Sequence, residues 1–463
     1  MRKVLFIAGY IPPLVGPGSQ RPAKFARHLP KHGWHPMMLS LKIDERIFSI
    51  GYDRSADLSY LDGSEIFRTG MLNIFAPYQK ISWWLRRRKK ASAQDKSKAE
   101  GSSSPVPTRN PVIAKINHLI DRLLFFPDEG IGWLPFAVWT GWKIIRHRDV
   151  DVFYTTSPLN TAHLVGYILK RLTGKPWIAD FRDPWDYKTL YNHQFTRPRF
   201  MLSLGHFLER RIITTADGVI TVTKKMTEIF RQRFPEERAS KFQTIMNGYA
   251  AEDFTSRPTD QKLRESEFTI VYTGSLSQST QSPSHFFTAI KQLIDEGRIP
   301  ADAIRLLLMG HSSVQIAPLI KTFQLNDVIK TKGYQPRHLA LEYQRQADLL
   351  FFIPGPFDFM VTGKLCEYLM SGTPIFALSK ENVEAAEIIR RTNTGVIVPP
   401  DDVKRIVEVI EELYRQFQSG GIAYQPIQSE IQKFEAKQLT QQLATILNKL
   451  IYTTAQRDTR THK

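Results

Sequence analysis

Short apolar runs alternate with amphipathic stretches over most of the 463 residues, and this alternation constrains the fold more than any other feature. The apolar runs are continuous, which is typical of strands buried on both faces of a parallel sheet. Helical periodicity marks the stretches between them, for example Arg21–His32 and Thr161–Thr173. The sequence therefore predicts an α/β fold of doubly wound sheets with helices on both faces.

The alternation falls into two sets, which the polar stretch Ser256–Glu267 separates. The predicted strands of the first set are Lys3–Gly9, Pro36–Leu41, Val152–Thr156, Pro176–Phe181, Gly218–Thr223 and Phe242–Met246. Those of the second set are Phe268–Tyr272, Ile304–Met309, Val328–Lys332, Leu349–Ile353, Thr373–Leu378 and Gly395–Val398. A chain of this length also needs more than one hydrophobic core. We therefore predict two Rossmann-like domains facing a cleft, over residues 1–250 and 251–428.

Both ends of the chain are predicted to belong to the N-terminal domain. Met1–Lys3 and the apolar run Val4–Ala8 look superficially like a signal peptide, but the run is too short and Pro12–Pro13 follow it. We predict a first buried strand there instead. Because Ser429–Tyr452 has a helical pattern, we expect residues 429–463 to form a C-terminal helix that packs back on the N-terminal domain and ends in a frayed tail.

Composition limits the partners and the compartment. Lys and Arg number 63 against 45 Asp and Glu, and the net charge of +18 indicates an anionic partner: a phosphorylated substrate, an acidic lipid or nucleic acid. No apolar run reaches the roughly 18 residues of a membrane-spanning helix. The single cysteine, Cys366, excludes an internal disulfide and fits a reducing compartment. We therefore expect a cytoplasmic protein.

A basic insertion, predicted to be mobile, interrupts the first domain at about residues 83–110. Its segment Trp83–Lys90 joins two tryptophans to five consecutive basic residues. Such residues would place rings in the interface of an anionic membrane and charges on its headgroups, which would make the protein peripheral on the inner face of the plasma membrane. The alternative is a solvated loop whose tryptophans pack on the protein. No nucleic-acid-binding motif accompanies the segment, which disfavours nucleic acid.

The most informative motif is TGKLCEYLMSGTP at Thr362–Pro374. It predicts a loop, a helix that begins at Gly363–Lys364, and a following strand. Free N–H groups and the helix dipole favour an anion at a helix start, and Lys364 adds a cation there. Glu367, about one turn further on, supplies a carboxylate for sugar hydroxyls. These groups suit a nucleotide-sugar, and the alternative is a solvated ion pair on a surface helix.

The first predicted strand leads into the loop YIPPLVGPGSQ, and a helix opens near Arg21. Gly16 and Gly18 would let the backbone approach a ligand closely. The segment GPGSQR imitates the start of the dinucleotide fingerprint, but Arg21 stands in place of its last glycine, which disfavours a nicotinamide cofactor. We predict a ligand-bordering loop over the cleft; the alternative is an ordinary connection between strand and helix.

Charged residues also follow a buried strand in ADFRDPW. Ligands of doubly wound sheets bind outside the carboxyl ends of strands, so Arg182 is predicted to hold a phosphate or carboxylate and Asp183 to orient sugar hydroxyls. The alternative is a structural network of Arg182 with Asp183 or Asp180. In the second domain, Gly274–Ser275 would place backbone N–H groups against a diphosphate.

Metal and nucleophile motifs are missing from the sequence. The twelve histidines form no H-E-x-x-H motif and no paired Cys/His pattern. Neither a G-x-S-x-G motif nor a P-loop occurs. We therefore predict no metal site and no cofactor.

The chain resembles the family 4 glycosyltransferases, retaining enzymes of the two-domain GT-B architecture. GKLCEYLMSGTPIFAL is similar to the donor-site helix of that family, IMNGYAAEDF to its crossover between domains, and YTGSL to the strand and turn that open its second domain. The segments PPLVGPGSQRPAKFARHL, FPDEGIGW, DVFYTTSPLNTAHLVG and ADFRDPW resemble a bacterial subgroup that builds surface polysaccharides. The likeness covers roughly residues 1–415.

This resemblance implies a hexosyltransferase-type enzyme (EC 2.4). Such an enzyme moves a sugar from a nucleotide diphosphate-sugar to a lipid-linked or polysaccharide acceptor, with retention of the anomeric configuration, in cell-surface polysaccharide synthesis. No metal is required. The donor is a substrate, so no cofactor is implied.

The resemblance also implies roles for the candidate residues. Glu367 would accept hydrogen bonds from the donor ribose, while Gly363–Lys364 and Gly274–Ser275 would face the diphosphate. The loop Gly16–Gly18 would border the donor phosphate and the acceptor. Arg182–Asp183 occupies the place of a pair that touches the transferred sugar, which makes Arg182, Asp183 and Lys364 the candidate catalytic residues.

Three departures from the family pattern bear on activity. Phe359 stands where many members carry a glutamate, eight residues before Glu367, and SLSQSTQSPS lacks the usual Arg and Lys after YTGSL. Arg182 replaces a histidine. The donor charge would then fall on Lys364, Arg182 and Arg21. A catalytically degenerate nucleotide- or glycan-binding partner protein is therefore the first alternative, and a nucleotide-sugar epimerase is the second.

Overall fold

The computed structural model describes residues 1–14, 18–42, 58–72, 126–185, 198–254, 266–276, 282–310 and 313–461. Within them lie two parallel sheets with helices on both faces, which confirms the predicted fold class. The predictions for Gly16 and for the basic insertion, including Trp83–Lys90, fall outside the described residues.

The first sheet has seven strands among the described residues, in the order β3-β2-β1-β4-β5-β6-β7, all parallel. Its strands are β1 (Arg2–Ala8), β2 (Trp34–Leu41), β3 (Glu65–Thr69), β4 (Val152–Thr156), β5 (Trp177–Phe181), β6 (Gly218–Thr221) and β7 (Phe242–Thr244). Its helices are α1 (Gln20–His28), α2 (Leu134–His147), α3 (Thr161–Thr173), α4 (Arg199–Thr215) and α5 (Lys224–Arg233). One face packs against α2 to α5, and α1 covers the other.

The second sheet has six described strands in the order β10-β9-β8-β11-β12-β13, again parallel. Its strands are β8 (Phe268–Thr273), β9 (Ile304–Met309), β10 (Ile329–Gly333), β11 (Leu349–Phe352), β12 (Ile375–Leu378) and β13 (Gly395–Val398). Its helices are α6 (Ser284–Asp295), α7 (Ser313–Thr322), α8 (Arg337–Gln346), α9 (Gly363–Ser371), α10 (Glu384–Thr392) and α11 (Val403–Gln418). In each sheet the strand order reverses beside the first strand, and such switch points are where doubly wound sheets bind ligands.

Two neighbouring segments connect the sheets. Tyr249 forms an isolated bridge with Glu435. The Tyr249 N–H donates to the Phe434 carbonyl at 3.0 Å, and the Ala436 N–H donates to the Tyr249 carbonyl at 2.8 Å. After the short helix α12 (Gln428–Ile431), the chain therefore returns beside its own first crossing.

The last helix, α13 (Ala436–Thr461), lies against α1 on the first sheet. Leu439, Leu443 and Leu447 are buried in the same core as Phe25 and Val4. The remaining short helical turns are of the 3₁₀ type: Leu29–His32, Ser59–Leu61, Ile131–Trp133, Ala239–Lys241, Ala251–Phe254 and Gln432–Phe434. None of the described helices combines the length and apolar character needed to cross a membrane.

β3 and α2 were not predicted from the sequence. β3 reads EIFRT, is only partly buried and carries charges at both faces, so it lacks the continuous apolar run of its neighbours. α2 begins at Leu134–Pro135 without a capping side chain and contains several bulky aromatic residues, which are weak helix signals. In sequence, β3 precedes the basic insertion and α2 follows it.

Candidate functional site

Lys364 lies at the start of α9, directly above the end of β8. α9 begins after the extended residue Thr362, and no described side chain caps its N-terminus. The ammonium of Lys364 donates to the Tyr272 hydroxyl at 2.5 Å and lies 4.3 Å from the centroid of that ring. A cation and free helix-start amides therefore meet at the switch point of the second sheet, where an anion is favoured.

Gly274 makes this position of Lys364 sterically accessible. Its φ of +123° is rarely adopted by other residues, and an added Cβ would lie 3.0 Å from the Lys364 Nζ. The neighbouring Ser275 is exposed, and its carbonyl accepts a hydrogen bond from the Tyr272 hydroxyl at 2.9 Å. The predicted residues Gly274, Ser275, Gly363 and Lys364 are thus brought together.

The protonation of Lys364 is finely balanced. Burial lowers its pKa to about 7, against a weaker opposing effect of Glu367. A diphosphate in contact with the ammonium would raise this pKa again, because an adjacent negative charge favours the protonated form. The lysine can therefore gain both charge and a partner from the same ligand.

Arg337 holds Glu367 in place. Its Nε and Nη2 both donate to the Glu367 Oε1, at 3.1 and 2.9 Å, while its Nη1 donates to Asp253 at 2.5 Å. Glu367 is partly exposed, and its second oxygen, Oε2, has no hydrogen bond within the described residues. Although burial opposes its charge, the two carboxylates raise the pKa of Arg337 above its ordinary value. The free Oε2 can accept hydrogen bonds from a ligand.

In the first domain, Arg21 and Asp180 form a buried bidentate ion pair. The Arg21 Nε and Nη2 donate to the two oxygens of Asp180 at 2.9 and 3.0 Å, and the Thr156 hydroxyl donates to Asp180 at 2.7 Å. Arg21 also donates to the carbonyls of Ile245 and Met246, at 2.9 and 2.7 Å. Four N–H groups of Arg21 thus donate hydrogen bonds within the protein. A contact between Arg21 and the nucleotide-sugar stays a prediction.

Arg182 lies beside this pair with part of its guanidinium unsatisfied. Its backbone N–H donates to the Ser157 hydroxyl at 2.9 Å. Its Nε and Nη1 are buried, and neither has a hydrogen-bond partner in the described part of the chain. Burial and the nearby Arg21 lower the pKa of Arg182, which Asp180 and Asp183 partly offset. A guanidinium with two buried, unpartnered nitrogens is a site for an anion or for sugar oxygens.

The crossing segment brings the two halves near each other. The Lys24 ammonium of α1 donates to the Gly248 carbonyl at 2.7 Å, and the Cys366 thiol of α9 donates to the Asn247 carbonyl at 3.1 Å. Burial lowers the pKa of Lys24, and the second-domain residues Arg337 and Glu367 are close enough to act on its charge. Residues of α1 and α9 therefore face a shared region between the domains.

The glycine requirement at Gly18 has a structural explanation. An added Cβ at Gly18 would lie 2.7 Å from the Pro158 Cδ, so the loop packs closely against the chain that follows β4. A ligand contact by Gly18 stays a prediction. Within the described residues, no group of three or more His, Cys, Asp and Glu side chains is placed to hold a metal ion.

Phe359 occupies the position at which the resemblance implies a glutamate. Its ring stacks on Phe357 with centroids 5.3 Å apart and packs against the core of the first domain. The carboxylate of Glu384 reaches the same interface and accepts hydrogen bonds from the N–H groups of Lys224 and Lys225, at 2.8 and 2.9 Å. The two domains are thus joined by the apolar contact of Phe359 and by the hydrogen bonds of Glu384 at the start of α5.

Two family models match the chain. The model described as "Glycosyl transferases group 1" matches residues 267–416, and "Glycosyltransferase Family 4" matches residues 100–253. Each falls mainly on one of the two sheets, and together they span about two thirds of the chain. No curated protein matches the chain at the level of sequence.

Solved structures share the fold over almost the whole chain. Sucrose-phosphate synthase from Thermosynechococcus elongatus is 16% identical with a TM-score of 0.65, covering 98% of this chain and 100% of its own. HepE of Anabaena, solved with UDP-glucose, is 16% identical with a TM-score of 0.60, covering 97% and 100%. The lipopolysaccharide outer core galactosyltransferase WaaB is 12% identical with a TM-score of 0.54, covering 98% and 97%.

The two parallel sheets, each with helices on both faces, have the two-domain GT-B fold of these structures. The two family models together identify the chain more closely, as a glycosyltransferase of the family 4 type. This confirms the broad class implied by the motif around Lys364. Arg337 was not predicted from the sequence, because it follows the unremarkable loop YQP and has no local signal of its role.

Proposed function

We propose that the protein transfers a hexose from a nucleotide diphosphate-sugar to a lipid-linked or polysaccharide acceptor, with retention of the anomeric configuration. The observation that carries this proposal is the position of Lys364 over Gly274, at an uncapped helix start and one turn from Glu367. A diphosphate needs cations and amides, and a ribose needs an acceptor oxygen. Both requirements are met within one turn of α9.

Donor binding divides between these groups. The diphosphate would lie against the Lys364 ammonium and the N–H groups of Gly363 and Gly274–Ser275. The free Oε2 of Glu367 would accept from the ribose hydroxyls, and Arg337 would hold it in position. UDP-glucose is the first donor to test, because HepE, a protein of the same fold, was solved with UDP-glucose.

The transfer step breaks the bond between the anomeric carbon and the leaving phosphate oxygen. The acceptor oxygen forms its bond to that carbon on the same face, and its proton passes to the leaving phosphate oxygen. Negative charge grows on the diphosphate during this step, so preorganised cations lower the barrier. Lys364 and the open N–H groups of Arg182 would supply that stabilisation, and Asp183 would orient sugar hydroxyls.

The acceptor class and the location are inferred from sequence likeness and charge. Four segments resemble a subgroup that builds surface polysaccharides, and WaaB, of the same fold, is a lipopolysaccharide galactosyltransferase. The net charge of +18 suits an anionic substrate at an anionic surface. We therefore place the reaction at the inner face of the plasma membrane, without a metal.

A donor screen tests the proposal. Nucleotide-sugars, with UDP-glucose first, should raise the melting temperature of the purified protein, since a ligand that binds only the folded state stabilises it. Lys364→Ala should abolish this shift and donor turnover, whereas Lys404→Ala, at an exposed lysine of α11, should change neither. If Lys364→Ala keeps both the melting shift and donor turnover, the proposed donor site is refuted.

One observation favours a second candidate, the catalytically degenerate binding protein. Phe359 stands in the place of a polar residue, stacks on Phe357 and packs against the core of the first domain. Such a protein would still bind a nucleotide at Lys364 and Glu367. Nucleotide-dependent stabilisation without hydrolysis or transfer of any tested donor would support this candidate over the enzyme.

A further inference from the structure

Three neighbouring helices of the first domain expose large apolar side chains to solvent. α3 lies between α2 and α4 on one face of the sheet. The exposed side chains are Phe136 and Trp139 on α2, Leu172 on α3, and Phe200, Leu204 and Phe207 on α4. We call this surface the outer helix face. Every exposed phenylalanine and tryptophan of the described residues lies on it.

The outer helix face is strongly basic. α2 and α3 contain no Asp or Glu, and the one acidic residue of α4, Glu209, is fully buried against Arg233. The Lys and Arg side chains of these helices are Lys143, Arg146, Lys170, Arg171, Arg199, Arg210 and Arg211. Lys170 and Arg210 also pair with acidic residues outside the three helices. The three helices thus present cations and apolar rings to solvent, with no exposed carboxylate of their own.

Rings and cations recur at a fixed spacing of four residues. The pairs are Trp139 with Lys143, Trp142 with Arg146, Tyr167 with Arg171, and Phe207 with Arg211, with cation-to-centroid distances of 4.7, 5.6, 5.7 and 5.3 Å. Each cation lies over the ring of its own helix. Ring faces covered in this way are poorly placed to stack on nucleic-acid bases, which disfavours RNA or DNA as the partner.

We propose that the outer helix face docks the protein on an anionic lipid bilayer. Aromatic side chains are stable at the membrane interface, and Lys and Arg attract acidic headgroups from the water side. The exposed apolar residues are spread over three helices, with Phe200, Leu204 and Phe207 in one row along α4, and all three helices also carry cations. The charge complementarity therefore favours a lipid surface.

In the docked orientation, the ring-bearing ends of α2 and α4 lie near the carboxyl ends of the strands of the first sheet. The exposed rings of α2 and α4 occupy the N-terminal halves of these helices, and the basic side chains of α2 occupy its C-terminal half. Helices that connect parallel strands run antiparallel to them, so the N-terminal halves lie at the sheet edge that carries Asp180 and Arg182. Delivery of a lipid-linked acceptor to that edge rests on the proposed function; bilayer binding itself does not.

Vesicle co-sedimentation of the full-length protein tests the docking surface. The protein should bind vesicles of phosphatidylcholine with about 30% phosphatidylglycerol, and bind pure phosphatidylcholine far more weakly. Trp139→Ser with Phe207→Ser removes rings, and Lys143→Glu with Arg211→Glu reverses charges. Each double variant should lower the partition coefficient for anionic vesicles roughly tenfold or more, because one loses two interfacial rings and the other reverses two charges that attract the headgroups.

Matched variants on the second domain serve as controls. Ile427→Ser removes an exposed apolar residue and Lys404→Glu reverses an exposed charge, and neither should change vesicle binding. Unchanged donor-dependent melting shifts would show that the double variants are folded and would separate this test from that of the proposed function. The two rings and the two basic side chains are all exposed, so the charge variant remains informative if the ring variant misfolds.

Several results would overturn the proposal. One is vesicle binding that survives in both double variants, including binding that is lost only when Trp83–Lys90 is replaced. Another is a concentration-dependent dimer that the double variants abolish while vesicles are not bound. Binding of RNA or DNA, but not of anionic vesicles, through the same residues would also overturn it.

Discussion

Arg337 donates both of its hydrogen bonds to Glu367 through a single carboxylate oxygen, at 3.1 and 2.9 Å. The contact with Arg337 fixes the orientation of the Glu367 carboxylate and leaves its other oxygen, Oε2, open to a ligand. Arg337 is 30 residues away from Glu367 in sequence and is itself held by Asp253. The position of the Glu367 Oε2, which is proposed to accept hydrogen bonds from the ribose, therefore depends on Arg337, a residue that need not touch the nucleotide-sugar.

Arg337→Ala should weaken donor binding with little effect on the chemical step. Glu367 would lose its orienting partner, and the dissociation constant of the donor should rise about tenfold, by analogy with the loss of groups that orient metal ligands. Calorimetry with UDP-glucose, or with the best donor of the screen, measures the constant. Turnover at saturating donor should fall by less than the affinity does.

The control for this prediction is Arg405→Ala, an exposed arginine on α11 that pairs only with Glu408 among the described residues. It should bind the donor like the unchanged protein. Equal donor affinity in Arg337→Ala and Arg405→Ala would contradict the orienting role. Arg337→Lys should behave like the alanine variant, because a lysine keeps the charge but cannot make the bidentate contact.

Donor binding should depend on pH through Lys364. Its pKa is about 7 in the free protein and rises when a diphosphate binds, so binding takes up a proton when the pH exceeds that value. Affinity should be constant below the free pKa and fall by up to about tenfold per pH unit above it. A nucleotide-sugar is the appropriate ligand, because its esterified diphosphate does not titrate in this range.

Calorimetry in two buffers of different ionisation enthalpy measures the proton uptake. About one unit above the free pKa, uptake should approach one proton per donor bound. Lys364→Arg keeps the charge at all accessible pH values, so it should show no uptake and a flat affinity. Proton uptake that persists in Lys364→Arg would assign the titration to another group.

Sequence reasoning located the elements better than the contacts between them. The continuous apolar runs specify β1 and β4 closely, because strands buried on both faces leave little choice of residue type. β3 (Glu65–Thr69) lies at the sheet edge, where this constraint is lost. The helix start at Gly363–Lys364 was also predictable, since its signals are all local.

Long-range pairs were not predictable in the same way. From the sequence, Asp180 was a possible partner of its near neighbour Arg182, whereas in the structure Asp180 pairs with Arg21, 159 residues away. Periodicity assigns a residue to a face of an element but does not say which element lies opposite. Because Asp180 pairs with Arg21, the Nε and Nη1 of Arg182 have no partner within the described residues. Support for Arg182 as a ligand-binding residue therefore comes only from the three-dimensional contacts.

Gly274→Ala should impair both stability and donor binding. A residue with a Cβ is strained at a φ of +123°, and the new methyl group would lie 3.0 Å from the Lys364 Nζ. We expect a loss of about 1–3 kcal/mol in the free energy of unfolding and a displaced ammonium. Donor affinity at the working temperature should fall with it.

Gly297→Ala provides the matched control for Gly274→Ala. Gly297 also has a positive φ, of +69°, but an added Cβ meets nothing within 4 Å. Its unfolding free energy should fall by about 1 kcal/mol, with donor affinity unchanged. If the two variants lose donor affinity equally, the effect is one of stability, and the contact between Gly274 and Lys364 has no role in binding.

Arg182→Met should stabilise the free protein and impair catalysis. The guanidinium is partly buried beside Arg21 and leaves two buried nitrogens unsatisfied, so an apolar side chain of similar length removes repulsion and a desolvation cost. We expect the free energy of unfolding to rise by about 1 kcal/mol, as at other sites that sacrifice stability for activity. Turnover should fall roughly a hundredfold if Arg182 stabilises the leaving diphosphate or the sugar.

Thermal melting without ligand and steady-state kinetics measure the two effects on one sample. Arg182→Lys should recover part of the turnover, since a cation remains, but not the specific fork of donors. A variant that is less stable than the unchanged protein yet fully active would assign Arg182 to the fold. A gain in stability together with a loss of turnover would mark Arg182 as a functional residue. The neighbouring Arg21 is the control: because four of its N–H groups donate hydrogen bonds within the protein, Arg21→Met should lower the free energy of unfolding.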